Sequence, residues 1–418
     1  MGGSRPTGND ARVVVIGLNY APETTGIAPY TAGLARHLAA CGHDVTVVTG
    51  HPHYPEWRIH EGYEAHRPPI QDAGVRLVRV RHPVPSNPTG LSRIWMEMVF
   101  SWRVGRRLLR LSPHAVIVVS PALLSVVPAA ALRLLKRYQV GVVVQDLYGA
   151  AVTEAGLGGK LMSWSVAALE RFLLKRVTKL FVIHDVFKNR LVTAGVLPER
   201  IAVVPNWTHV TMPADTDREA TRADLGWHTD DFIALHAGNM GAKQGLEGLV
   251  DVARLAGRRG SRVRIVLVGS GSRRAAIEAY AGRTPALTIL DPLPNGAFEA
   301  ALAAADCLLL HEKPGVVEMA VPSKLTTYFT AGRPVVAVTH PQSGASALMH
   351  AARAGVTVPA GDPAAILDAI EGLSRNPSAA EQMGSNGIAY AAQHLTRLAS
   401  VSEQEAWVRG VLLAGSDG

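Results

Sequence analysis

Short β-branched runs alternate with helical stretches along almost the whole chain, and this alternation constrains the fold more than any other feature. In the first half the runs are 12-RVVVIGL-18, 45-VTVVT-49, 75-VRLVRV-80, 115-AVIVVS-120, 140-VGVVVQD-146, 180-LFVIH-184 and 201-IAVVP-205. In the second half they are 232-FIALHAG-238, 263-VRIVLVG-269, 286-ALTIL-290, 307-CLLLH-311, 335-VVAVT-339 and 355-GVTVP-359. Several are apolar at nearly every position, as parallel strands are when helices cover both faces. Strands separated by helical patterns predict doubly wound α/β sheets, and 418 residues accommodate two in tandem. The stretch 206-NWTHVTMPADTDREATRADLGW-227 is polar, contains proline and has no strand pattern, which predicts a hinge. The expected division is an N-terminal domain over 1–207 and a C-terminal domain over 208–395. Residues 396–418 hold a closing amphipathic helix that is expected to pack back toward the first domain.

Composition narrows the function. Hydrophobic residues make up 48% and charged residues 18%, which is globular rather than disordered. Cys41 and Cys307 are the only cysteines, too few and too far apart for a disulfide framework, so a reducing cytoplasm is expected. Residues 1–10, MGGSRPTGND, read as a polar leader and not as a signal peptide. Charges break every apolar run before the roughly 20 residues a membrane span needs. The net charge of +8 is uneven: residues 1–208 carry 24 Lys/Arg against 13 Asp/Glu, and the remainder 18 against 21. The first half is therefore expected to face something anionic. No nucleic-acid recognition motif accompanies the charge, so an anionic membrane surface is the better expectation.

Open parallel sheets bind ligands at the carboxyl ends of their strands, and chemistry is sought there. After the first strand, 17-GLNYAPETTGIAPYTAGL-34 turns through Gly26 into a helix whose N-terminal amides suit an anion or a sugar hydroxyl. An ordinary βα turn explains Gly26 as well. After 232–237, the loop 238-GNMGAKQG-245 holds Gly238, Asn239 and Lys243 just before a helix, an arrangement suited to a diphosphate. It matches neither G-x-G-x-x-G nor the P-loop. The stretch 263-VRIVLVGSGSRRAAIEAYAG-282 repeats the strand–glycine–helix order at Gly269 with no third glycine, which favours packing or close approach of a nucleotide. In 318-EMAVPSKLTTYFTAGRPVVAVT-339, Pro322 and Ser323 open a helix with Lys324 in its first turn. Helix polarity disfavours a cation there, unless an anionic ligand lies beside it.

Taken in order, P-E-T-x-G-I with G-H-D-V-T-V-V-T, V-V-P-N-W, G-N-M-G-x-K-Q-G-L-E and V-P-S-K-L-T…A-G-R-P-V-V-A resemble the GT-B glycosyltransferases of family 4. The resemblance is to the colanic-acid and exopolysaccharide branch and spans roughly residues 12–395. It implies two Rossmann-like domains facing across a cleft, a UDP- or GDP-sugar donor held mainly by the second, and metal-independent transfer with retention. No cofactor is implied beyond the donor substrate. Carried onto this sequence, it puts Gly26 against the donor diphosphate or transferred sugar, and Lys243 with its glycine loop on the phosphates. It brings amides around Ser323, Lys324 and Leu325 to the diphosphate, and turns Asp146 toward the reacting sugar. Two departures stand out. Relatives carry two glutamates eight residues apart in this region. Here the second position is Thr327, where the ribose contact belongs, and the first falls on Met319, with Glu318 one residue away as its replacement. His184 occupies a position where serine is common.

Other patterns carry less. The histidines of 51-HPHYPEWRIH-60 have no acidic or thiol partner at ligand spacing, so no metal is expected. Asp215 and Asp217 form a D-x-D string inside the presumed hinge and read as solvated linker. In 91-LSRIWMEMVFSWRVGRRLLRL-111, Leu91, Ile94, Trp95, Met98, Val99 and Trp102 recur at helical spacing beside Arg93, Arg103, Arg106, Arg107 and Arg110. A core-facing helix would show this pattern, and so would an interfacial helix on anionic lipid; the basic first half favours the second. The leading reading is a glycosyltransferase, with a lipid-linked glycan among the acceptors expected and peripheral attachment at the inner face of the membrane. The alternatives are an NAD-dependent oxidoreductase, against which the missing G-x-G-x-x-G counts, and a catalytically idle partner, suggested by Thr327.

Overall fold

The structure, a computed structural model, describes residues 11–24, 26–64, 70–86, 90–120, 122–146, 168–208, 210–213, 215–315 and 323–416. It divides into two compact units, Met1–Pro205 with Arg397–Gly418, and Asn206–Thr396.

The first unit contains β1 (Arg12–Gly17), β2 (Asp44–Thr49), β3 (Ile70–Asp72), β4 (Val75–Arg79), β5 (Ala115–Val119), β6 (Gln139–Val144), β7 (Lys179–Val182) and β8 (Ile201–Val203). Among the described residues they form one sheet in the order β3-β4-β2-β1-β5-β6-β7-β8. Pairing is parallel except for β3 on β4. The β3 edge strand was not anticipated: three residues are too few for an alternation to be read. Helices α1 (Ala28–Ala40), α2 (Gly90–Leu108), α3 (Val126–Lys136) and α4 (Asp185–Thr193) connect the strands. The interior strands are buried along nearly their whole length, Ile117 and Leu180 completely, which is why both faces read as apolar.

The second unit contains β9 (Phe232–Ala237), β10 (Val263–Val268), β11 (Leu287–Leu290), β12 (Cys307–His311), β13 (Val335–Val338) and β14 (Gly355–Val358). They pair in the order β11-β10-β9-β12-β13-β14, all in parallel. Its helices are α5 (Arg218–Asp224), α6 (Glu247–Arg259), α7 (Arg274–Ala281), α8 (Ala297–Ala304), α9 (Ser323–Thr330), α10 (Gly344–Ala352), α11 (Pro363–Arg375) and α12 (Pro377–His394). A separate core covers each face of the sheet. Leu249, Ala253, Ile265, Leu367 and Ile370 fill one, and Leu235, Leu308, Leu325, Phe329 and Met349 the other. The period of two along β9 sends Ala234 to the first core and Leu235 to the second.

The polar stretch read as a bare linker is partly helical. Asp217 caps α5 by accepting the Ala220 N–H at 2.9 Å, so half of the D-x-D string is a helix cap. Buried Arg222 pairs with Asp306 at 3.1 Å and also donates to the carbonyls of His228 and Asp231, which ties the segment into the second unit. A last helix, α13 (Arg397–Ser416), belongs to the first unit. Trp407 meets Phe181 edge-on at 5.9 Å and lies over Gly141, where a Cβ would come within 3.0 Å of the indole. Among the described residues no helix is long and apolar enough to cross a membrane.

Each sheet has one point where the winding direction reverses, between β1 and β5 and between β9 and β12. A crevice opens there because successive connections leave to opposite faces.

Candidate donor site at the second switch point

In the second unit β9 delivers His236 and the loop from Gly238, and α9, arriving from beyond β12, delivers Lys324. The Lys324 Nζ donates to His236 Nε2 at 2.8 Å and lies 3.5 Å from the Asn239 carbonyl. Tautomer and direction follow from the other ring nitrogen. His236 Nδ1 is 3.0 Å from the Leu309 carbonyl, which can only accept, so Nδ1 carries the proton and Nε2 offers its lone pair. His236 is fully buried and held neutral, its pKa well below the ordinary histidine value through burial and then the charge of Lys324. Loss of water around the ammonium pushes Lys324 down to about 7. Gly238 makes this approach possible: its φ is +123°, and a Cβ would sit 2.9 Å from Lys324 Cε.

Gly269 and Gly271 belong to the same construction. The Gly238 N–H donates to Val268 O and the Met240 N–H to Ser270 O, both at 2.8 Å, so two loops lie backbone on backbone. A Cβ on Gly269 would fall 2.0 Å from the Gly238 carbonyl oxygen. That is a packing requirement, one of the two roles the sequence left open for this glycine. Leu325 is fully buried in the core, so only its backbone is available to a ligand, and the Thr327 side chain is buried too. Tyr328, which sequence reasoning passed over, fixes α9 to the end of β9: its hydroxyl accepts the Ala237 N–H at 3.0 Å and donates to the Ala237 carbonyl. Its signal was a tyrosine amid apolar helix positions, where a hydroxyl must find a partner. Ser323 begins α9. Glu318 and Met319 lie outside the described residues, and the glutamate replacement with them.

Lys243 is half-buried in the turn between β9 and α6, and its carbonyl accepts the Lys313 N–H at 2.9 Å. Gln244 shapes that turn, accepting from the Gly241 N–H at 3.0 Å through its side chain and from His311 Nδ1 at 2.6 Å through its carbonyl. Beyond His311 lies a cavity of about 490 Å³, lined by Gly245, Glu247, Arg273, His311, Lys313 and Asp362 among others. Buried Glu312, just past β12, accepts from Thr339 Oγ1, which is 2.8 Å from Ser343 Oγ. It was missed because a glutamate ending a strand run looks like solvated punctuation.

The first switch point is built around a carboxylate. Buried Glu23 accepts from the backbone N–H groups of His53 (2.7 Å), Tyr54 (2.8 Å) and Tyr20 (3.2 Å), and from Asn19 Nδ2 (3.2 Å). It locks the loop after β1 to the loop after β2. Gly26 has φ +63°, and a Cβ there would press on the Tyr54 ring at 3.2 Å. In the second loop His53 is held by its own fold: its Nδ1 donates to the His51 carbonyl at 2.9 Å, and its ring stands edge-on to His82 at 4.9 Å. Burial lowers His53, and it lowers His82 to about 4, so both are neutral. Asp146, exposed at the end of β6, has its N–H 3.4 Å from Ser120 Oγ. His184 is turned inward onto Phe187 at 4.2 Å between ring centroids, and burial brings it to about 4.

Comparison with known proteins adds an independent line. Residues 25–207 match the family model of the glycosyl transferase 4-like domain, and residues 231–376 that of glycosyl transferases group 1. A protein of Escherichia coli (strain K12), provisionally assigned as the colanic acid biosynthesis glycosyl transferase WcaI, is 32% identical over 337 residues, 77% of this chain and 81% of that one. An alpha-D-kanosaminyltransferase of Streptomyces kanamyceticus is 28% identical over 181 residues, 41% of this chain and 45% of its own. Among solved structures, sucrose-phosphate synthase of Thermosynechococcus elongatus superposes with a TM-score of 0.74 at 17% identity, over 97% of this chain and 100% of that one. Anabaena HepE in complex with UDP gives 0.68 at 14%, over 96% and 100%. These two establish the fold alone, two Rossmann-like units of the GT-B kind.

Proposed function

The chain belongs to the group 1 glycosyltransferases, and from that premise we propose that it moves a sugar from a UDP- or GDP-linked donor to a hydroxyl acceptor with retention of configuration. The observation that carries the donor assignment is the meeting of Gly238, Asn239 and Lys324 at the switch point between β9 and β12. A single ammonium in a water-poor recess, beside a helix N-terminus, is suited to a diphosphate whose charge grows as the glycosidic bond breaks. Lys243 adds a second cation from the same loop. Together they supply the positive charge that a metal would otherwise bring, so the proposed transfer is metal-independent and needs no cofactor. The complexes of HepE with UDP and with UDP-glucose support a nucleotide-sugar as the ligand class.

Retention then proceeds by attack from the leaving-group side, with a diphosphate oxygen taking the proton of the acceptor hydroxyl. Asp146 orients the sugar or the acceptor, and Gly26 lies against the diphosphate or the transferred sugar. Amides near Ser323 and Leu325 complete the diphosphate contacts, with Glu318 beside the sugar and Thr327 near the ribose. The acceptor class is a lipid-linked glycan precursor, handled by a cytoplasmic enzyme that meets an anionic membrane through α2.

A thermal-shift screen of UDP- and GDP-sugars tests the donor assignment, because a ligand that binds only the folded state raises the melting temperature. One donor family is expected to stabilise the protein, and Lys243→Ala to abolish most transfer while keeping the fold. Silence across both families, or near-normal kinetics in that variant, sinks the phosphate assignment.

A further inference from the structure

Helix α2 carries two apolar stripes, only one of which the fold uses. Met96, Phe100, Val104 and Leu108 are buried at a spacing of four and pack inward. Trp95 and Trp102 are 58% and 59% exposed, and Ile94, Met98 and Leu109 also face outward. Helix α3 repeats the arrangement. Val126 and Ala129 face inward, while Val127, Ala131, Leu134 and Leu135 recur outward at i, i+4, i+7 and i+8. Leu134 and Leu135 are 83% and 79% exposed, the most exposed large apolar side chains among the described residues.

The two helices lie side by side and run in the same direction. Ser101 Oγ donates to the Leu124 carbonyl at 2.7 Å, a Cβ on Gly105 would meet Pro128 at 3.1 Å, and Lys136 Nζ donates to the Leu109 and Leu111 carbonyls at 2.6 and 2.7 Å. Contacts thus pair 101 with 124, 105 with 128 and 109–111 with 136. The charge around them has one sign. Residues 90–137 contain eight Lys/Arg (Arg93, Arg103, Arg106, Arg107, Arg110, Arg133, Lys136 and Arg137) against one acidic residue, Glu97, which is buried.

We infer that α2 and α3 together form a two-helix platform that rests on an anionic lipid surface, with Leu134 and Leu135 entering the acyl boundary beside the tryptophans of α2. The inference deepens the reading of α2 as a membrane contact and rests on it; what is new is the part played by α3. An exposed apolar stripe on two helices that carry eight cations matches a bilayer with acidic headgroups, which offers hydrocarbon and negative charge in one plane. A second copy of the chain fits poorly, since it would bring the same eight cations face to face.

Sedimentation with sucrose-loaded vesicles tests this on the full chain without any donor or acceptor, so its outcome is separate from that of the transfer reading. Phosphatidylglycerol–phosphatidylethanolamine vesicles are expected to bind the protein and phosphatidylcholine vesicles to leave it in solution, with release as salt is raised. Leu134→Ser/Leu135→Ser should weaken partitioning by about tenfold or more without changing the melting temperature. Trp95→Ser/Trp102→Ser should do the same, and should remove the blue shift of tryptophan emission on binding. Full binding by the Leu134→Ser/Leu135→Ser variant overturns the role of α3 while leaving that of α2. Wild-type protein that ignores anionic vesicles overturns both. A concentration-dependent mass in solution, abolished by either double substitution, assigns the face to a second copy and overturns the lipid assignment.

Discussion

The two switch points share one topology and hold opposite charges. In the first unit a buried carboxylate, Glu23, gathers four N–H donors and welds two loops together. In the second a lysine, Lys324, is steadied by one neutral imidazole and a distant carbonyl, and the third of its N–H donors has no partner among the described residues. A group whose valences are filled by its own fold is architecture, whereas one held in position but unsatisfied is prepared for a ligand. The crevice that the winding rule provides is therefore only a location. The side chains decide whether it is braced or made to bind.

The largest effect should separate binding from bracing. Lys324→Met is expected to lower transfer by about 100-fold or more, the scale of removing one preorganised electrostatic contact to developing charge, while urea unfolding stays near wild type. A variant that unfolds early and transfers normally would reverse the contrast. Glu23→Ala is expected to behave the other way. Leaving buried N–H donors without an acceptor should cost about 3 kcal/mol of stability, with the affinity for a stabilising nucleotide-sugar, read by calorimetry, lowered far less than in Lys324→Met. Gly269→Ala tests whether the paired loops of the second unit are rigid. With 2.0 Å available for a Cβ, a loss of about 2 kcal/mol is expected, along with weaker donor binding because Gly238 is pushed off Lys324.

The smallest effect is in pH. Because Lys324 titrates near 7 in the free protein, its charged form is lost as pH rises through that value. Donor affinity should fall up to about tenfold per pH unit above 7, and binding at pH 8 should take up a proton, visible as a buffer-dependent enthalpy. The stability sign is opposite. The folded pKa lies below the ordinary lysine value, so between about 7 and 10.5 the unfolded chain binds more protons and this group makes the protein more stable as pH rises. Donor affinity flat from pH 6 to 9 would remove Lys324 from the site.

Much of the fold was legible because burial on both faces leaves a mark in the residues themselves. β9 and β12 are apolar but for His236 and His311, and the glycines after β9 and β10 announced tight turns. The edge strand β3 and the capped helix α5 were not legible. One is too short to show a period, and the other is stabilised by Arg222 and Asp306, which are 84 residues apart. Of the candidate site, Lys324 was visible as a cation at the wrong end of a helix, and Lys243 as a cation in a glycine loop. His236 was not, since a histidine within a strand run looks like any other core residue until its neighbours are known. For Gly269 the sequence left packing and close approach of a nucleotide open, and the packing part rests on the 2.0 Å to Gly238, which only the fold supplies.

By itself the sequence determined the strands of both sheets other than the β3 edge, their parallel character and the family, because these follow from local periodicity and from short motifs in fixed order. Tertiary structure decided the rest. Only folding sets His236 against Lys324, 88 positions away, and lays the outward stripe of α3 beside that of α2. Hydrogen bonds and desolvation act over a few ångströms of space whatever the separation along the chain.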